Sequence, residues 1–293
     1  MTEKLFYEDS HIKEFSARVL SCTEGKKGYE IVLDKTAFFP EGGGQSGDSG
    51  YIGNARVYDT HEIYSEIVHY ADSPLAVGEE YPCSIDWDLR FRRMQNHSGE
   101  HIVSGIVNRK YGYQNIGFHM GSDCVTIDFD GYLSSEQLHE IEREANFAVA
   151  ENHRIICSFP EAEKLKMLSY RSKLELTENV RIVEIEGIDL CACCAPHVYS
   201  TAEIGIVKIL SSERRRRGGD GTRITMLCGL DAYDNFVITH NNNVSVSMQL
   251  SAKREETAAA VERLLLIGCS ETTDSSFLDS LDSSAKKGVT GVD

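Results

Sequence analysis

The sequence lacks several features that would define a membrane, secreted or generally nucleic-acid-binding protein. No stretch comes near the roughly 18 consecutive apolar residues of a transmembrane helix. The N-terminus does not show the charged-then-apolar pattern of a signal peptide. Basic residues are too few to balance the acidic ones, 30 against 46, and the resulting net charge of −16 argues against broad, non-specific binding to nucleic acid. We therefore expect a cytoplasmic protein without a membrane partner.

A disulfide framework is also not indicated. The nine cysteines are an odd number, and three of them crowd together at Cys191, Cys193 and Cys194. Such crowding in a protein without secretion signals favours reduced thiols and a metal site. The length of 293 residues suits two domains better than one core.

Two basic runs stand out against the acidic background. Arg90, Arg92 and Arg93 form one, and Arg214, Arg215, Arg216 and Arg217 form the other. Each run is a candidate contact for a phosphate backbone. The alternative is that these arginines are ordinary solvated charges on the protein surface.

The hydrophobic pattern predicts an α+β protein that begins with a small antiparallel β-barrel. Short segments at 17–20, 29–33, 55–58, 62–69 and 81–86 carry β-branched and aromatic residues, separated by turn signals. The segment 38–48 contains three adjacent glycines, Gly42 to Gly44, followed by Gln45. Because glycine tolerates positive φ and close approach, we expect this segment to contact a ligand. A plain flexible loop is the alternative.

Helical periodicity begins at Asp88, which could cap a helix that Gly112 ends. Strands and helices then interleave, which predicts an α+β domain with an antiparallel sheet. A Ser-x-x-Gln capping box at Ser134 starts a second helix. An amphipathic C-terminal helix is expected over 244–266 and is a candidate homodimer contact. The predicted units are 1–87 for the barrel, 88–238 for the second domain, 239–267 for the C-terminal helix and 268–293 for a poorly ordered tail.

The candidate metal ligands lie in two clusters. His97 and His101 are four residues apart, so both lie on one face of the predicted helix. Cys193 and His197 repeat the spacing about ninety residues later. Together they form an N/S set that suits Zn²⁺. Cys191 and Cys194 are rival thiolates, since a loop has no helical register to select Cys193.

Neighbouring helix positions give two further expectations. Gly105 lies on the same face as the histidines and is expected to leave room for an ion or substrate. Glu100 differs from the glutamate of zinc proteases, which directly follows the first histidine, and it is expected to point away from the metal. A site with four protein ligands would be structural, whereas one with three ligands and a water would be catalytic.

These motifs resemble the alanyl-tRNA editing proteins and the editing domain of alanyl-tRNA synthetase. The glycine-rich segment 39–48, the His-x-x-x-His and Cys-x-x-x-His pairs, and the segment 201–209 occur in the order typical of that family. One departure is Cys-Cys-Ala-Pro-His at 193–197, where Cys-Gly-Gly-Thr-His is commoner.

The resemblance implies a hydrolase that cleaves the ester of mischarged tRNA(Ala), carrying serine or else glycine, with one Zn²⁺ held by His97, His101, Cys193 and His197. It implies a barrel followed by an α+β editing domain, with Gln45 facing the pocket and assisting recognition or water positioning. His101 is expected to be needed for catalysis. Ser98, on the same helical face, is a candidate to meet the substrate's serine hydroxyl.

Other functions are consistent with parts of the sequence. Threonyl-type tRNA editing uses the same histidine and cysteine pairs, although the glycine-rich segment favours the alanine system. A zinc-stabilised RNA-binding module without catalysis would use all four ligands structurally. An inactive interaction protein would use the C-terminal helix as its partner surface.

Overall fold

The structure is a computed structural model, and it describes residues 2–121, 123–172, 180–215 and 220–271, with side chains through Leu266. The first part of the chain is built from short strands. Its elements are β1 (Glu3–Lys4), α1 (Leu5–Glu8), β2 (Glu14–Gly25), β3 (Gly28–Leu33), β4 (Lys35–Thr36), β5 (Gly50–Ile52), β6 (Ala55–Ile63), β7 (Glu66–Ala71) and β8 (Glu80–Ile85).

Six of these strands close into a barrel in the order β2-β3-β7-β6-β5-β8, with β8 paired back onto β2. Neighbouring strands are antiparallel throughout the ring. Apolar side chains that alternate along the strands fill its interior, including Val19, Ile31, Leu33, Ile52 and Val57. The short β1 pairs in parallel with β4 outside the ring.

The single strand expected over 62–69 is wrong. Tyr64 and Ser65 have φ values of 49° and 67°, and the chain reverses there between Ile63 and Glu66, which are paired across the hairpin. Two consecutive residues with positive φ are the geometry of a tight two-residue hairpin turn. The sequence carries no Asn-Gly or Gly at this turn, so the usual signal is missing.

The glycine-rich segment forms a tight turn between β4 and β5. The backbones of Gly42 and Gln45 exchange two hydrogen bonds of 3.0 Å. Gly43 and Gly44 have φ values of 61° and 83°, and a Cβ on Gly44 would lie 2.6 Å from the ring of Phe118. Both positions therefore require glycine, as the sequence indicated.

The second part of the chain alternates helices and strands. Its elements are α2 (Trp87–Tyr111), β9 (Asn115–Met120), β10 (Val125–Phe129), α3 (Ser135–Glu151), β11 (Ile155–Ser158), α4 (Ala162–Leu165), β12 (Ile182–Ile185), β13 (Asp189–Ala192), a 3-10 helix (Thr201–Ile204), β14 (Val207–Arg215) and β15 (Gly221–Cys228). They form two antiparallel sheets, β14-β15-β10-β9 and β11-β12-β13. The expected mixed α and β architecture with antiparallel sheets is confirmed.

Helix α2 runs through the centre of this region. It ends at Gly112, whose φ of 73° allows its N–H to bond the Asn108 carbonyl, as the sequence predicted. The helix begins two residues before the start predicted at Asp88, so that Asp86 occupies the N-cap position. The Asp86 side chain does not cap the helix but pairs with Arg56. Side chains on nearly every face of its middle turns are buried. A helix buried all round places its polar residues inside the protein, where each needs a partner.

Helix α3 begins with the predicted capping box. The Ser134 hydroxyl accepts the Gln137 N–H, and the Gln137 side chain accepts the Ser134 N–H. Its apolar stripe, including Leu138, Ile141 and Ala145, packs into the core around α2. These residues are structural, as the helical spacing indicated.

The C-terminal helix expected over 244–266 is wrong as a single element. The chain forms α5 (Gly229–Gln249), a 3-10 turn (Arg254–Glu256) and α6 (Thr257–Glu271). Ser251 between them has a φ of 49°, and the Ser247 hydroxyl donates to the Ala252 carbonyl at 2.6 Å. The chain therefore turns near Ser251, although the hydrophobic pattern continues across this position and predicts one helix.

Many apolar side chains on the two C-terminal helices are exposed, among them Phe236, Met248, Leu264 and Leu266. A homodimer through this region stays a prediction, as do the domain boundaries. Most of the predicted tail, 272–293, lies outside the described residues. Among the helices that the structure describes, none has both the length and the hydrophobicity to cross a bilayer.

Candidate metal centre

The two sequence clusters meet in one buried site. His97 and His101 from α2 face Cys193 and His197 from the segment after β13, and the four ligand atoms all lie within 4.8 Å of one another. The Cys193 Sγ atom is 3.5 Å from Nε2 of His97 and 3.5 Å from Nε2 of His197. The choice of Cys193 over its neighbours agrees with this grouping.

These separations fit a tetrahedral zinc ion. With Zn–S and Zn–N bonds of about 2.3 Å and 2.0–2.1 Å at tetrahedral angles, sulfur and nitrogen should lie about 3.5 Å apart. Both measured distances from Cys193 meet that value. The rival Cys191 groups instead with His101 and Asp189, but the Asp189 carboxylate is already paired with Arg171 through two hydrogen bonds. The residues present therefore fit a single ion at the first set.

Each histidine of the site has its other ring nitrogen engaged. Nδ1 of His97 lies 3.1 Å from Oε1 of Gln45, and Nδ1 of His197 lies 3.0 Å from the Ser98 hydroxyl. The Nδ1 atom of His101 lies 2.9 Å from Oδ2 of Asp189. Such partners fix the ring orientation and leave Nε2 for a metal. The three rings are thus held by residues outside the ligand set.

Ser98 and Gln45 both lie behind the histidines of the site. Ser98 is fully buried behind His197 and also accepts the Val198 N–H, and the residues lining the adjacent cavity do not include it. The Ser98 hydroxyl is therefore engaged with His197 and Val198, and its contact with the substrate hydroxyl stays a prediction. Gln45 supports His97 through its amide oxygen, while its Nε2 atom is buried without a hydrogen-bond partner among the described residues.

The expectation that Gly105 leaves room for an ion is also wrong. A Cβ at Gly105 would lie 2.5 Å from the Ile188 carbonyl oxygen and 2.8 Å from the Asp189 Cβ. The glycine instead lets the turn between β12 and β13 press against α2. This close approach brings Asp189 to His101, a contact that no local sequence pattern announces.

Burial controls the charge of the ligands. Desolvation raises the pKa of the Cys193 thiol, with the neighbouring Cys194 adding to the effect. Desolvation, followed by the nearby His101 and His97, lowers the pKa of His197 well below its usual value. Neutral imidazole is the metal-binding form, and a bound cation would in turn favour the thiolate. The site is therefore suited to neutral histidines and to a positive ion.

The pKa of Asp189 is not controlled by burial, unlike the pKa values of Cys193 and His197. Its burial alone would raise the pKa, but hydrogen bonds from His101 and Arg171 outweigh desolvation and lower it. The carboxylate stays ionised between these two partners and fixes the His101 ring. Asp189 and Arg171 were missed in the sequence because their role depends on the Gly105 contact.

The metal centre borders a cavity of about 570 Å³. His97, His101 and Cys193 line it together with Gly43 and Gly44 of the glycine-rich turn. That turn therefore borders the candidate site, and its contact with a ligand stays a prediction.

Glu100 also lines this cavity, although it was expected to point away from the metal. Glu100 is buried, with 4% of its surface exposed, and its Oε2 atom lies 3.8 Å from Nε2 of His101. The other carboxylate oxygen accepts hydrogen bonds from Ser104 and Asn115. The i+3 position after His97 turns Glu100 toward the cavity rather than away from it.

The arginines predicted to contact tRNA differ in burial and in their partners. Arg90 is 1% exposed and binds the buried Asp48 carboxylate and the Ala37 and Ser10 carbonyls. The prediction that Arg90 contacts phosphate is therefore wrong. Arg90 instead ties α2 to the glycine-rich segment through Asp48. Arg93, mostly buried, donates to the Gly47 carbonyl at 2.8 Å.

The second basic run lies at the end of β14. Arg214 pairs with Asp220, and Arg215 lies 3.4 Å from Asp128. Arg216 and Arg217 lie outside the described residues. Among the described residues, the arginines that line the cavity are instead Arg171 and Arg181, which belong to neither of the two basic runs.

Comparison with known proteins agrees with the two clusters. A family model for the threonyl and alanyl tRNA synthetase second additional domain matches residues 180–224, which contain Cys193 and His197. A model for class II (A) tRNA synthetases matches residues 2–89. Over 231 residues the chain is 38% identical to the alanyl-tRNA editing protein AlaX-M of Methanosarcina mazei, covering 71% of this chain and 90% of that protein. The chain belongs to the alanyl-tRNA editing protein family.

Longer members of the family are similar to it as well. The alanyl-tRNA editing protein AlaX-L of Pyrococcus horikoshii is 32% identical over 243 residues, which cover 79% of this chain and 59% of that protein. The alanyl-tRNA editing protein Aarsd1-A of Xenopus laevis is 31% identical over 272 residues, covering 87% of this chain and 66% of that protein. The chain thus spans about three fifths to two thirds of the length of these longer relatives.

Proposed function

We propose that this protein hydrolyses the ester bond of tRNA(Ala) mischarged with serine, with glycine as a second substrate. The observation that carries the proposal is the buried cluster of His97, His101, Cys193 and His197 beside a cavity that the glycine-rich turn also borders. Membership of the alanyl-tRNA editing family supports this substrate over the threonyl alternative. Hydrolysis of an aminoacyl ester needs no covalent nucleophile, because the ester is already activated and a positioned water suffices.

His97, His101, Cys193 and His197 would hold one Zn²⁺. If one of the four gave up its position or the ion took a fifth ligand, the Zn²⁺ charge would stabilise the negative charge that develops on the carbonyl oxygen of the ester. The remaining chemistry belongs to side chains around the cavity. Gln45 is proposed to act through its Nε2 atom, which is buried and unpartnered among the described residues. A buried amide N–H without a partner is costly, so a substrate oxygen or a water beside His97 would satisfy it.

Glu100 is proposed to bind the α-ammonium group of the aminoacyl ester. Its carboxylate borders the cavity beside His101, and Ser104 and Asn115 fix its orientation from the other side. Opposite charge and hydrogen bonding together make such a contact strong in a water-poor site. The ammonium would then orient the acyl group with its carbonyl toward the metal centre.

Contact with the body of the tRNA is assigned to the end of β14. Arg214 and Arg215, with Arg216 and Arg217 following, remain the proposed phosphate contacts. Arg93 is a weaker candidate because its guanidinium already bonds the Gly47 carbonyl. We expect these contacts to set affinity in a salt-dependent way rather than to select the amino acid.

The test is hydrolysis of seryl-tRNA(Ala) beside alanyl-tRNA(Ala) by the wild type and by His101→Ala. Circular dichroism serves as the folding control, and metal content is measured for both proteins. Selective release of serine that is lost in a folded, metal-poor His101→Ala variant is the expected result. No release by a folded, zinc-loaded wild type would overturn the proposal.

Chelation separates hydrolysis from the alternative of a zinc-stabilised RNA-binding module. Loss of turnover with the fold retained is expected for an editing enzyme. Unfolding on chelation, together with tRNA binding but no release of serine by the zinc-loaded protein, would favour the binding module.

A further inference from the structure

The four candidate metal ligands lie on two different kinds of backbone. His97 and His101 belong to α2, whose internal hydrogen bonds fix the positions of their backbones. Residues 193–199, which we call the ligand loop, carry Cys193 and His197 and lie outside the helices and strands. Because a loop has no hydrogen-bond ladder of its own, contacts with other parts of the chain must set the position of His197.

The barrel side of the chain supplies such a contact. Residues 9–11, which we call the N-terminal arm, lie between α1 and β2. The Ser10 hydroxyl donates to the backbone carbonyl of His197 at 2.7 Å, across 187 positions of the sequence. The His197 ring is held separately, since its Nδ1 atom lies 3.0 Å from the Ser98 hydroxyl. One serine therefore holds the backbone of this ligand, and another orients its ring.

A second contact joins the N-terminal arm to the ligand loop two residues further on. The rings of His11 and Tyr199 stack with centroids 3.7 Å apart and an interplanar angle of 19°. Nε2 of His11 lies 3.0 Å from Oε2 of Glu203, the same oxygen that accepts the Tyr199 N–H at 3.2 Å. Nδ1 of His11 lies 3.0 Å from the Ser10 hydroxyl. The two contacts with the ligand loop therefore form one network.

The N-terminal arm is itself anchored. Nη1 of the buried Arg90 donates to the Ser10 carbonyl at 3.1 Å, and the same guanidinium binds the Asp48 carboxylate. The His11 ring also lies 5.4 Å from the ring of Trp87 at the start of α2. Because the arm is held by α2 as well as by the barrel, it is a fixed support for the ligand loop.

We propose that Ser10 and His11 are positioning residues for the candidate metal ligand His197. The inference rests on the proposed function, because it takes Zn²⁺ to be held by the four clustered ligands, but it does not depend on which ester is hydrolysed. Partners that orient a ligand raise metal affinity, because the ligand loses less conformational freedom when the ion binds. His197 then depends on two distant parts of the chain, the N-terminal arm for its backbone and α2 for its ring.

The first test measures the zinc affinity of the full chain by titration against a chromophoric chelator. Ser10→Ala and His11→Ala should each bind Zn²⁺ about 10- to 100-fold more weakly than wild type, the loss typical of a removed orienting partner. Ser10→Thr, which keeps the hydroxyl, should bind Zn²⁺ as wild type does. Circular dichroism checks that each variant is folded.

Two matched variants remove similar contacts on α5, which carries none of the candidate ligands. Ser247→Ala removes another hydroxyl that donates to a backbone carbonyl, at 2.6 Å. His240→Ala removes another histidine stacked on an aromatic ring, that of Phe236. Both variants should keep wild-type zinc affinity. Wild-type affinity in Ser10→Ala and His11→Ala as well would overturn the positioning role.

A His197→Ala background shows whether Ser10 acts through this ligand. With the imidazole removed, Ser10→Ala should lower zinc affinity no further, because the position of residue 197 no longer matters to the ion. The visible absorption of the Co²⁺-substituted protein depends on ligand geometry, so Ser10→Ala should change it when His197 is present and not when it is absent. Equal losses of affinity in both backgrounds would show that Ser10 acts on the fold in general and would overturn the proposal.

Metal affinity and editing are measured separately, so this inference and the proposed function can fail separately. If Ser10→Ala binds Zn²⁺ more weakly but zinc-loaded wild type releases no serine from seryl-tRNA(Ala), the proposed hydrolysis fails and the positioning role stands. If wild type edits seryl-tRNA(Ala) but neither Ser10→Ala nor His11→Ala changes the zinc affinity or the Co²⁺ spectrum, the positioning role fails alone.

Discussion

The hydroxyl of Ser98 lies 3.0 Å from Nδ1 of His197, on the opposite side of the ring from Cys193. One residue along α2, His97 presents its Nε2 atom to the same cysteine. Adjacent residues of the helix thus play different parts: one is a candidate ligand and the other orients a second candidate ligand. This division makes the metal centre depend on residues that never touch the ion.

Ser98→Ala should therefore weaken metal binding and leave amino-acid selectivity intact. Loss of such a partner typically costs about 10- to 100-fold in metal affinity, measurable by competition with a fluorescent zinc chelator. Ser104→Ala, which removes a buried serine of the same helix that bonds Glu100, is the matched control and should keep wild-type metal affinity. Lost discrimination between seryl- and alanyl-tRNA at unchanged metal affinity would instead identify Ser98 as a substrate contact.

Glu100→Gln should remove the enzyme's preference for a free amino group. A charge-assisted hydrogen bond contributes about 1.5–3 kcal/mol, so wild type should prefer seryl-tRNA(Ala) over its N-acetylated form by roughly 10- to 150-fold. In the variant the ratio of the two rates should approach one. Glu140→Gln, an exposed glutamate on α3, serves as the control. An unchanged ratio in Glu100→Gln would contradict the assignment.

Asp48→Asn should destabilise the fold strongly. The change leaves the buried Arg90 guanidinium without its charge partner, and breaking a buried pair in this way costs about 3–5 kcal/mol. Urea denaturation of the variant measures the loss. Lys208→Ala, which breaks an exposed pair with Glu142, should cost at most about 1 kcal/mol. Similar small losses in both variants would show that the Arg90 pair is not structural.

His69 should make the protein less stable in mild acid. Burial lowers the pKa of His69 to about 4 in the folded state, against about 6.5 in an unfolded chain. The unfolded state therefore binds the proton first, so stability is full above about pH 6.5 and falls as the pH drops toward 4. The loss from this residue is on the order of 3 kcal/mol.

Urea denaturation at pH 7 and pH 4.5 tests this effect by comparing wild type with His69→Gln. The variant should lose less stability than wild type between the two pH values, whatever its stability at pH 7. His139→Gln on the exposed surface of α3 should lose as much as wild type. Identical losses in all three proteins would assign the acid sensitivity to other groups.

Much of the architecture could be read from local sequence. Helix α2 was found because its periodicity is long and Gly112 supplies a left-handed end, and α3 because Ser134 and Gln137 form both halves of a capping box. The hairpin at Tyr64 and Ser65 could not be found, since neither residue type signals positive φ. The break near Ser251 was hidden for a similar reason, because the apolar spacing continues across it.

The sequence by itself determined which residue types could hold a metal, since His97 and His101 must share a helical face and a cysteine-histidine pair was available to oppose them. Only the tertiary structure decided what each surrounding side chain does. Ser98, Glu100 and Arg90 all lie on α2, yet packing turns one toward His197, one toward the cavity and one toward Asp48. Helical spacing fixes the direction of a side chain, but its partner is set by elements far away in the chain.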